Sequence, residues 1–255
     1  MKAYEITFSP TGGTKKAADF LLSQFACEKE EINLLPLGTD YSGYCFSKED
    51  ICLFAVPSFG GRVPQTAAER ILAMQGNSAR AVLLCIYGNR AYDDTLLELK
   101  DIVKQAGFLP VAAATAVAEH SIMRQFATGR PDTADEIELK DFSQTIWDKI
   151  SAGETMPEAE VPGNEDYRKY GGVPFKPSTD EKCNACGICA RECPVGAIDK
   201  DTLHKTDKSK CISCMRCIQV CPQHARNLNR LMLDVASKKL EKACAGRKEN
   251  ELFFG

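Results

Sequence analysis

Two cysteine runs hold most of the reactive chemistry in this chain. The first is Cys183-x₂-Cys186-x₂-Cys189-x₃-Cys193-Pro194, and the second is Cys211-x₂-Cys214-x₂-Cys217-x₃-Cys221-Pro222. Eight of the 13 cysteines therefore fall within residues 183–221. In a reducing compartment such crowding signals metal and not disulfides. Three cysteines two residues apart can wrap a tight loop around a cubane iron–sulfur cluster, presenting thiolates and backbone N–H groups to it. Structural zinc is the alternative. A zinc ribbon uses pairs of CxxC, and it gives no reason for a third cysteine at the same spacing or for the proline.

Over its whole length the segment 178–226 resembles bacterial-type two-cluster ferredoxin modules. In such modules the fourth cysteine of each run ligates the other cluster. The resemblance implies one cluster on Cys183, Cys186, Cys189 and Cys221, and a second on Cys211, Cys214, Cys217 and Cys193. Cys27, Cys45, Cys52, Cys85 and Cys244 have no ligand spacing, and Cys52 and Cys85 read as small buried hydrophobes.

The remaining sequence has to position this module. A chain of 255 residues is long enough for one large domain and a small one. Residues 1–150 alternate strand-like runs (2–8, 31–35, 51–56, 81–87 and 108–117) with helical patterns (15–25, 64–74, 94–105 and 135–150). Runs apolar on both faces suit strands covered on both sides, so the pattern predicts an α/β, doubly wound parallel sheet. Residues 151–177, rich in Glu, Pro and Gly, predict a linker that lies along the surface, anchored by Tyr167, Tyr170, Val173 and Phe175. Residues 227–255 predict a helix over 227–243 and a tail. Leu228, Leu231, Met232, Val235 and Leu240 form the stripe by which that helix should pack.

Three loops follow strands, where a doubly wound sheet places its ligand crevice. After the first strand comes Ser9-Pro10-Thr11-Gly12-Gly13-Thr14. Hydroxyls and glycines at a helix N-terminus make an anion site, although the same residues also suit a plain capped helix start. The loop lacks the Walker lysine and the GxGxxG spacing, which disfavours ATP and dinucleotides. The second loop is Pro57-Ser58-Phe59-Gly60-Gly61-Arg62. The third runs from Tyr87-Gly88-Asn89-Arg90 to Tyr92-Asp93. The first resembles the FMN phosphate loop of flavodoxins. The other two correspond to the loops with which flavodoxins clamp the isoalloxazine, with Phe59 and either Tyr87 or Tyr92 as candidate ring partners. Arg62 and Arg90 are candidates to stabilise an anionic reduced flavin, whereas His120 reads as a hydrogen-bonded structural histidine.

These loops, Glu119-His120-Ser121, the PFKP of the linker and the paired cysteine runs together resemble the flavodoxin–ferredoxin fusion family of anaerobic microbes, the EFR-type ferredoxins. The resemblance implies a flavodoxin-like sheet ordered 2-1-3-4-5, a smaller α+β ferredoxin-like domain, FMN and two [4Fe–4S] clusters. Electron relay to a protein redox partner follows as its function. Two other readings stand beside it: an FMN-dependent reductase of a small substrate beside Arg62, Arg90 and His120, and a flavin-free interaction module. A net charge of −3 excludes a nucleic-acid partner recruited by bulk charge, and no apolar run reaches the roughly 18 residues of a membrane span. The alternating start MKAYEITFSP reads as a strand and not as a signal peptide, which predicts a cytoplasmic protein.

Overall fold

The computed structural model describes residues 1–153 and 155–255, so Glu154 of the expected linker lies outside the described residues. The body is built from β1 (Lys2–Thr7), α1 (Gly13–Leu22), β2 (Glu28–Asn33), β3 (Ile51–Pro57) and α2 (Gln65–Leu72). It continues through β4 (Arg80–Tyr87), α3 (Thr95–Gln105), β5 (Leu109–Val117) and α4 (Thr133–Ser151). The five strands are parallel and ordered β2-β1-β3-β4-β5, as the resemblance to flavodoxins implied. Both faces are covered. Ile71, Leu96, Leu99 and Val103 of α2 and α3 pack on one, and Leu21, Leu22, Leu139 and Ile146 of α1 and α4 on the other. Central strands β3 and β4 are accordingly buried almost throughout.

The sheet edges depart from expectation. β2 starts three residues earlier than the expected run 31–35, overlaps it at 31–33, and has the sequence EKEEIN with one buried residue. It is an edge strand held by pairing to β1 and protected by charge, so hydrophobicity does not mark it. At the other edge the C-terminal tail returns as β8 (Glu251–Phe253), antiparallel to β5 at Ala113–Thr115, and makes a six-stranded sheet. The linker runs beside it. The Ala159 amide donates to Pro110 O and the Glu160 amide to Phe254 O.

The second module carries β6 (Ser178–Thr179), α5 (Ile188–Arg191), α6 (Arg216–Gln219), β7 (Arg226–Asn227) and α7 (Arg230–Leu240), with β6 and β7 forming a two-stranded antiparallel sheet. α7 corrects the predicted stripe. Leu231, Met232 and Val235 are 78%, 45% and 58% exposed. Leu228 and Leu240 of that stripe do pack, joined by Leu233 and Ala236, on Met123, Phe126 and Phe175. The helix touches a narrow cluster above the fifth strand's loop and not a broad core, so only one side of it is covered.

Among the described residues no helix is long and apolar enough to cross a membrane.

Candidate functional site

The first loop ends where α1 begins. The Gly13 and Thr14 amides head this helix and have no carbonyl one turn back to bond. Ser9 Oγ accepts the Lys15 N–H at 2.9 Å, so its hydroxyl secures the helix start. Gly12 sits at φ 95°, in the left-handed region. A Cβ on Gly13 would stand 3.0 Å from Ala118 Cβ, so the loop presses closely on the end of the fifth strand. No acidic side chain occupies the first turn of α1. Thr11 and Thr14 line a crevice shared with Pro57, Ser58, Tyr87 and Gly88. Lys16 and Arg124 flank Thr11 and Gly12 from an adjoining pocket. Free amides, a helix dipole and nearby cations suit a bound phosphate.

The crevice opens into a cavity of about 390 Å³ lined by Phe59, Gly60, Gly88, Arg90, Phe175 and Ile212, among others. Phe59 and Arg62 exchange backbone hydrogen bonds across Gly60 and Gly61, which sit at φ 63° and 87°. This is a two-residue turn of the left-handed kind that glycine favours. Neither glycine tolerates a side chain. A Cβ on Gly60 would come within 2.6 Å of the Tyr170 ring, and one on Gly61 within 2.8 Å of Arg168 Cδ. Across the cavity His120 covers Gly88, where a Cβ would meet it at 2.7 Å. His120 Nδ1 accepts the amides of Ile122 and Met123 at 3.1 and 3.2 Å, leaving the neutral Nε2–H form. Burial lowers its pKa, and the Arg90 charge does so further. The structural reading of His120 therefore holds, yet the ring also lines the crevice.

Several polar residues expected in the flavin loops serve the chain's own connections instead. The Arg62 guanidinium is held on Glu98 by two hydrogen bonds of 2.8 and 2.6 Å and lies 4.8 Å from the Tyr167 ring centroid. Its charge is neutralised and turned to the linker. Arg90 pairs with Asp93, which also binds Arg168 of the linker at 2.6 Å. Arg90 still borders the cavity. Buried Asn89 donates to Cys244 O and Gly246 O at 2.6 and 2.8 Å, clamping the tail. Tyr92 turns its hydroxyl to Glu251 of β8 and its ring to Tyr87. Of the two tyrosines, Tyr87 is the one on the crevice. Ser58 Oγ meets Thr95 Oγ1 at 2.7 Å. Asp94, which ends the third loop and is not among the expected flavin contacts, accepts the backbone amides of Asn164 and Arg168.

Both cysteine runs fold alike. Ala185, Gly187 and Gly196 in the first have positive φ, as do Ser213, Met215 and His224 at the matching positions of the second. Kinks of this kind can turn successive amides toward one point. Ala197 N–H donates to Cys193 Sγ and Ala225 N–H to Cys221 Sγ, both at 3.3 Å. Cys183, Cys186, Cys189 and Cys221 line one pocket together. Cys193 stands among Cys211, Cys214 and Cys217, close enough that its charge acts on two of them. Burial pushes the Cys214 and Cys217 thiols up to about 12. Among the described residues no three cysteine sulfurs lie within 4.8 Å of one another. Four thiolates on one zinc would stand about 3.8 Å apart, given Zn–S bonds of about 2.3 Å. The sulfurs are thus not gathered as closely as four ligands of one zinc ion would be.

The module is seated on the crevice. Cys214 lines it beside Phe59 and Tyr87, and Ile212 and Ser213 wall the larger cavity. Arg70 Nη2 donates to Pro194 O at 2.7 Å, and Arg216 Nη1 to Pro10 O at 3.4 Å. Sequence reasoning placed Cys214 at a cluster but not at this crevice, because nothing local in the second run records what it docks against. Lys16 left a readable signal, since it follows the glycine-threonine loop directly.

Residues 182–226 match the 4Fe-4S dicluster domain family. The pyruvate synthase subunit PorD of Methanothermobacter marburgensis is 38% identical over 82 residues, covering 31% of this chain and 95% of that protein. The thiosulfate reductase electron transfer subunit PhsB of Salmonella typhi is 44% identical over 51 residues, covering 18% of this chain. The chain spans only about a quarter of that relative's length, 27%. Among solved structures, a flavodoxin from the domain Archaea aligns with 59% of this chain and 99% of its own, at 14% identity and a TM-score of 0.44.

Proposed function

The chain belongs to the 4Fe-4S dicluster proteins through its C-terminal module and is a flavodoxin–ferredoxin fusion, and from that premise we propose that it relays electrons between FMN and two [4Fe–4S] clusters. When bound, FMN would hold one or two electrons and each cluster one, so the chain could join single-electron and pair transfers. The amides of Gly13 and Thr14, with the Thr11 and Thr14 hydroxyls, would hold the phosphate. Phe59 and Tyr87 would border the ring, and Cys193, Cys211, Cys214 and Cys217 would hold the cluster nearer to it. The tail and linker, fastened by Asn89, Tyr92 and Asp94, would fix that docking.

The single observation that carries this reading is that Cys214 lines the same crevice as Thr14, Phe59 and Tyr87. Anaerobically purified protein should contain about eight irons, eight sulfides and one FMN per chain. Four irons, or no bound flavin, would refute the relay.

A protein redox partner in the cytoplasm is the donor or acceptor in this reading. The relatives' own designations as subunits of a pyruvate synthase and a thiosulfate reductase support it. A flavin reductase of a small substrate is the second reading, favoured by Arg90 and the fixed His120 donor beside the cavity. Substrate-dependent reoxidation of the reduced flavin without any protein partner would establish it.

A further inference from the structure

The two cysteine runs share their four cysteines, the proline and the alanine at 197 and 225, and they differ in charge at a buried position next to that alanine. Residue 198, buried beside the first run, is Ile; its counterpart 28 residues on is Arg226. Both Ile198 and Arg226 are buried, 4% and 2% exposed. A guanidinium so placed needs an anion, because an unpaired buried charge is costly. Among the described residues no carboxylate pairs with it. Its Nη1 donates to Thr206 Oγ1 at 2.8 Å, and its Nη2 to Leu203 O and to Cys189 Sγ, the latter at 3.6 Å. Its Nε is buried with no partner. The pocket that Arg226 helps line is the one formed by Cys183, Cys186, Cys189 and Cys221.

The missing anion is the cluster itself. Four thiolates around a 2+ core carry about 2−, and one-electron reduction takes this to about 3−. A fixed cation in contact with one ligand sulfur stabilises the more negative state at low local dielectric. The second set has no matching contact. Lys176 Nζ reaches Cys211 O and Ser213 Oγ but makes no hydrogen bond to a sulfur, and the Arg226 charge acts on Cys217 without a hydrogen bond.

We propose that Arg226 is a positioning and tuning residue chiefly for one cluster, raising the reduction potential of the cluster held by Cys183, Cys186, Cys189 and Cys221 more than that of the other. The proposal rests on the two-cluster reading above. It separates the clusters by role: the one beside the flavin crevice stays the stronger reductant, and the one farther out becomes the easier to reduce.

The test is a redox titration of the anaerobic full-length protein followed by EPR, with iron counted in every sample. In Arg226→Gln and Arg226→Met one of the two reduction waves should fall by at least tenfold in its equilibrium constant, which is 59 mV for a one-electron couple. The other wave should move less than half as far. Arg226→Lys, which keeps the charge, should hold the wave near its wild-type position. Eight irons with unmoved waves in both neutral variants would overturn the proposal and leave the relay reading intact. So would equal movement of both waves. Should the neutral variants lose four irons while Arg226→Lys keeps eight, the cation is required by that cluster, as proposed. Loss of iron in all three variants would make Arg226 a space-filling residue and overturn the proposal. Wild-type protein with fewer than eight irons would overturn the two-cluster reading itself.

Discussion

If the module docks on the crevice as described, electron exchange between flavin and clusters is a reaction within one molecule, and dilution tests this directly. A tethered partner acts at an effective concentration of about 1 mM. With encounter rate constants of about 10⁵–10⁷ M⁻¹s⁻¹, exchange within a molecule should run at about 10²–10⁴ s⁻¹, against about 0.1–10 s⁻¹ between molecules at about 1 μM. Arg70 supplies the perturbation. Its buried guanidinium donates to Leu34 O and Leu35 O of the body and to Pro194 O of the module, so only the last bond crosses. Losing a hydrogen bond from a charged donor costs about 1.5–3 kcal/mol. Arg70→Met should therefore weaken docking by about ten- to a hundredfold, at about 1.4 kcal/mol per factor of ten. In anaerobic stopped-flow, the flavin phase of the wild type should keep its rate on tenfold dilution. Arg70→Met should slow that phase or reduce its amplitude while keeping it independent of concentration. A wild-type rate that falls in proportion to concentration would refute the docked relay.

Three further outcomes follow from named contacts. Thr14→Ala should weaken FMN binding by on the order of 1–3 kcal/mol, measured by fluorescence quenching, because a buried hydroxyl beside the free helix amides is lost; unchanged affinity would remove the phosphate from this loop. Cys193→Ala should damage the cluster of Cys211, Cys214 and Cys217 although it belongs to the first run; EPR showing loss confined to the other cluster would disprove the crossed ligation. Burial pushes the Glu5 carboxyl from its ordinary value up to about 7, so the folded chain binds its proton more tightly than the unfolded one and this group lowers stability as pH rises from about 4.5 to 7. Glu5→Gln should accordingly raise the melting temperature more at pH 8 than at pH 5, and an equal change at both would contradict the sign.

What could be read from sequence was whatever is encoded locally. The repeated CxxCxxCxxxCP carries its own loop geometry, and the matched left-handed positions at 185, 187 and 196 and at 213, 215 and 224 show the repeat holding in the backbone. Apolar runs 51–56 and 81–87 were legible because both faces of a central strand must be buried. β8 was not. A three-residue strand contributes no periodicity, and its pairing to β5 is specified by Asn250, which meets the Val117 amide, Asp135 and Glu138 more than a hundred residues away. The α7 stripe misled for the opposite reason: its spacing is helical, but Leu231, Met232 and Val235 have no surface opposite them.

The loops expected to hold flavin show why residue type is a weaker guide to role than to chemistry. Arg62, Asn89, Tyr92 and Asp93 lie in the expected loops, yet Asn89 and Tyr92 are satisfied by the tail, Asp93 binds the linker's Arg168, and Arg62 is shared between Glu98 and the linker. A charged or amide side chain half-buried in a loop must find a partner, and whichever chain segment passes first supplies it. Here the segments that pass are those a fusion requires, because a domain appended after residue 150 has to be led back over the crevice. Asp94 receiving two linker amides and Asn89 donating to two tail carbonyls are thus the cost of holding the cysteine loop at the crevice. Gly13, Gly60, Gly61 and Gly88 carry no side chain to be diverted, and their backbone borders the crevice and cavity beside Thr11, Thr14, Phe59, Tyr87, Arg90 and His120. Asn89, Tyr92 and Asp94 should therefore report interdomain docking when mutated, whereas the Thr11 and Thr14 hydroxyls should report the flavin.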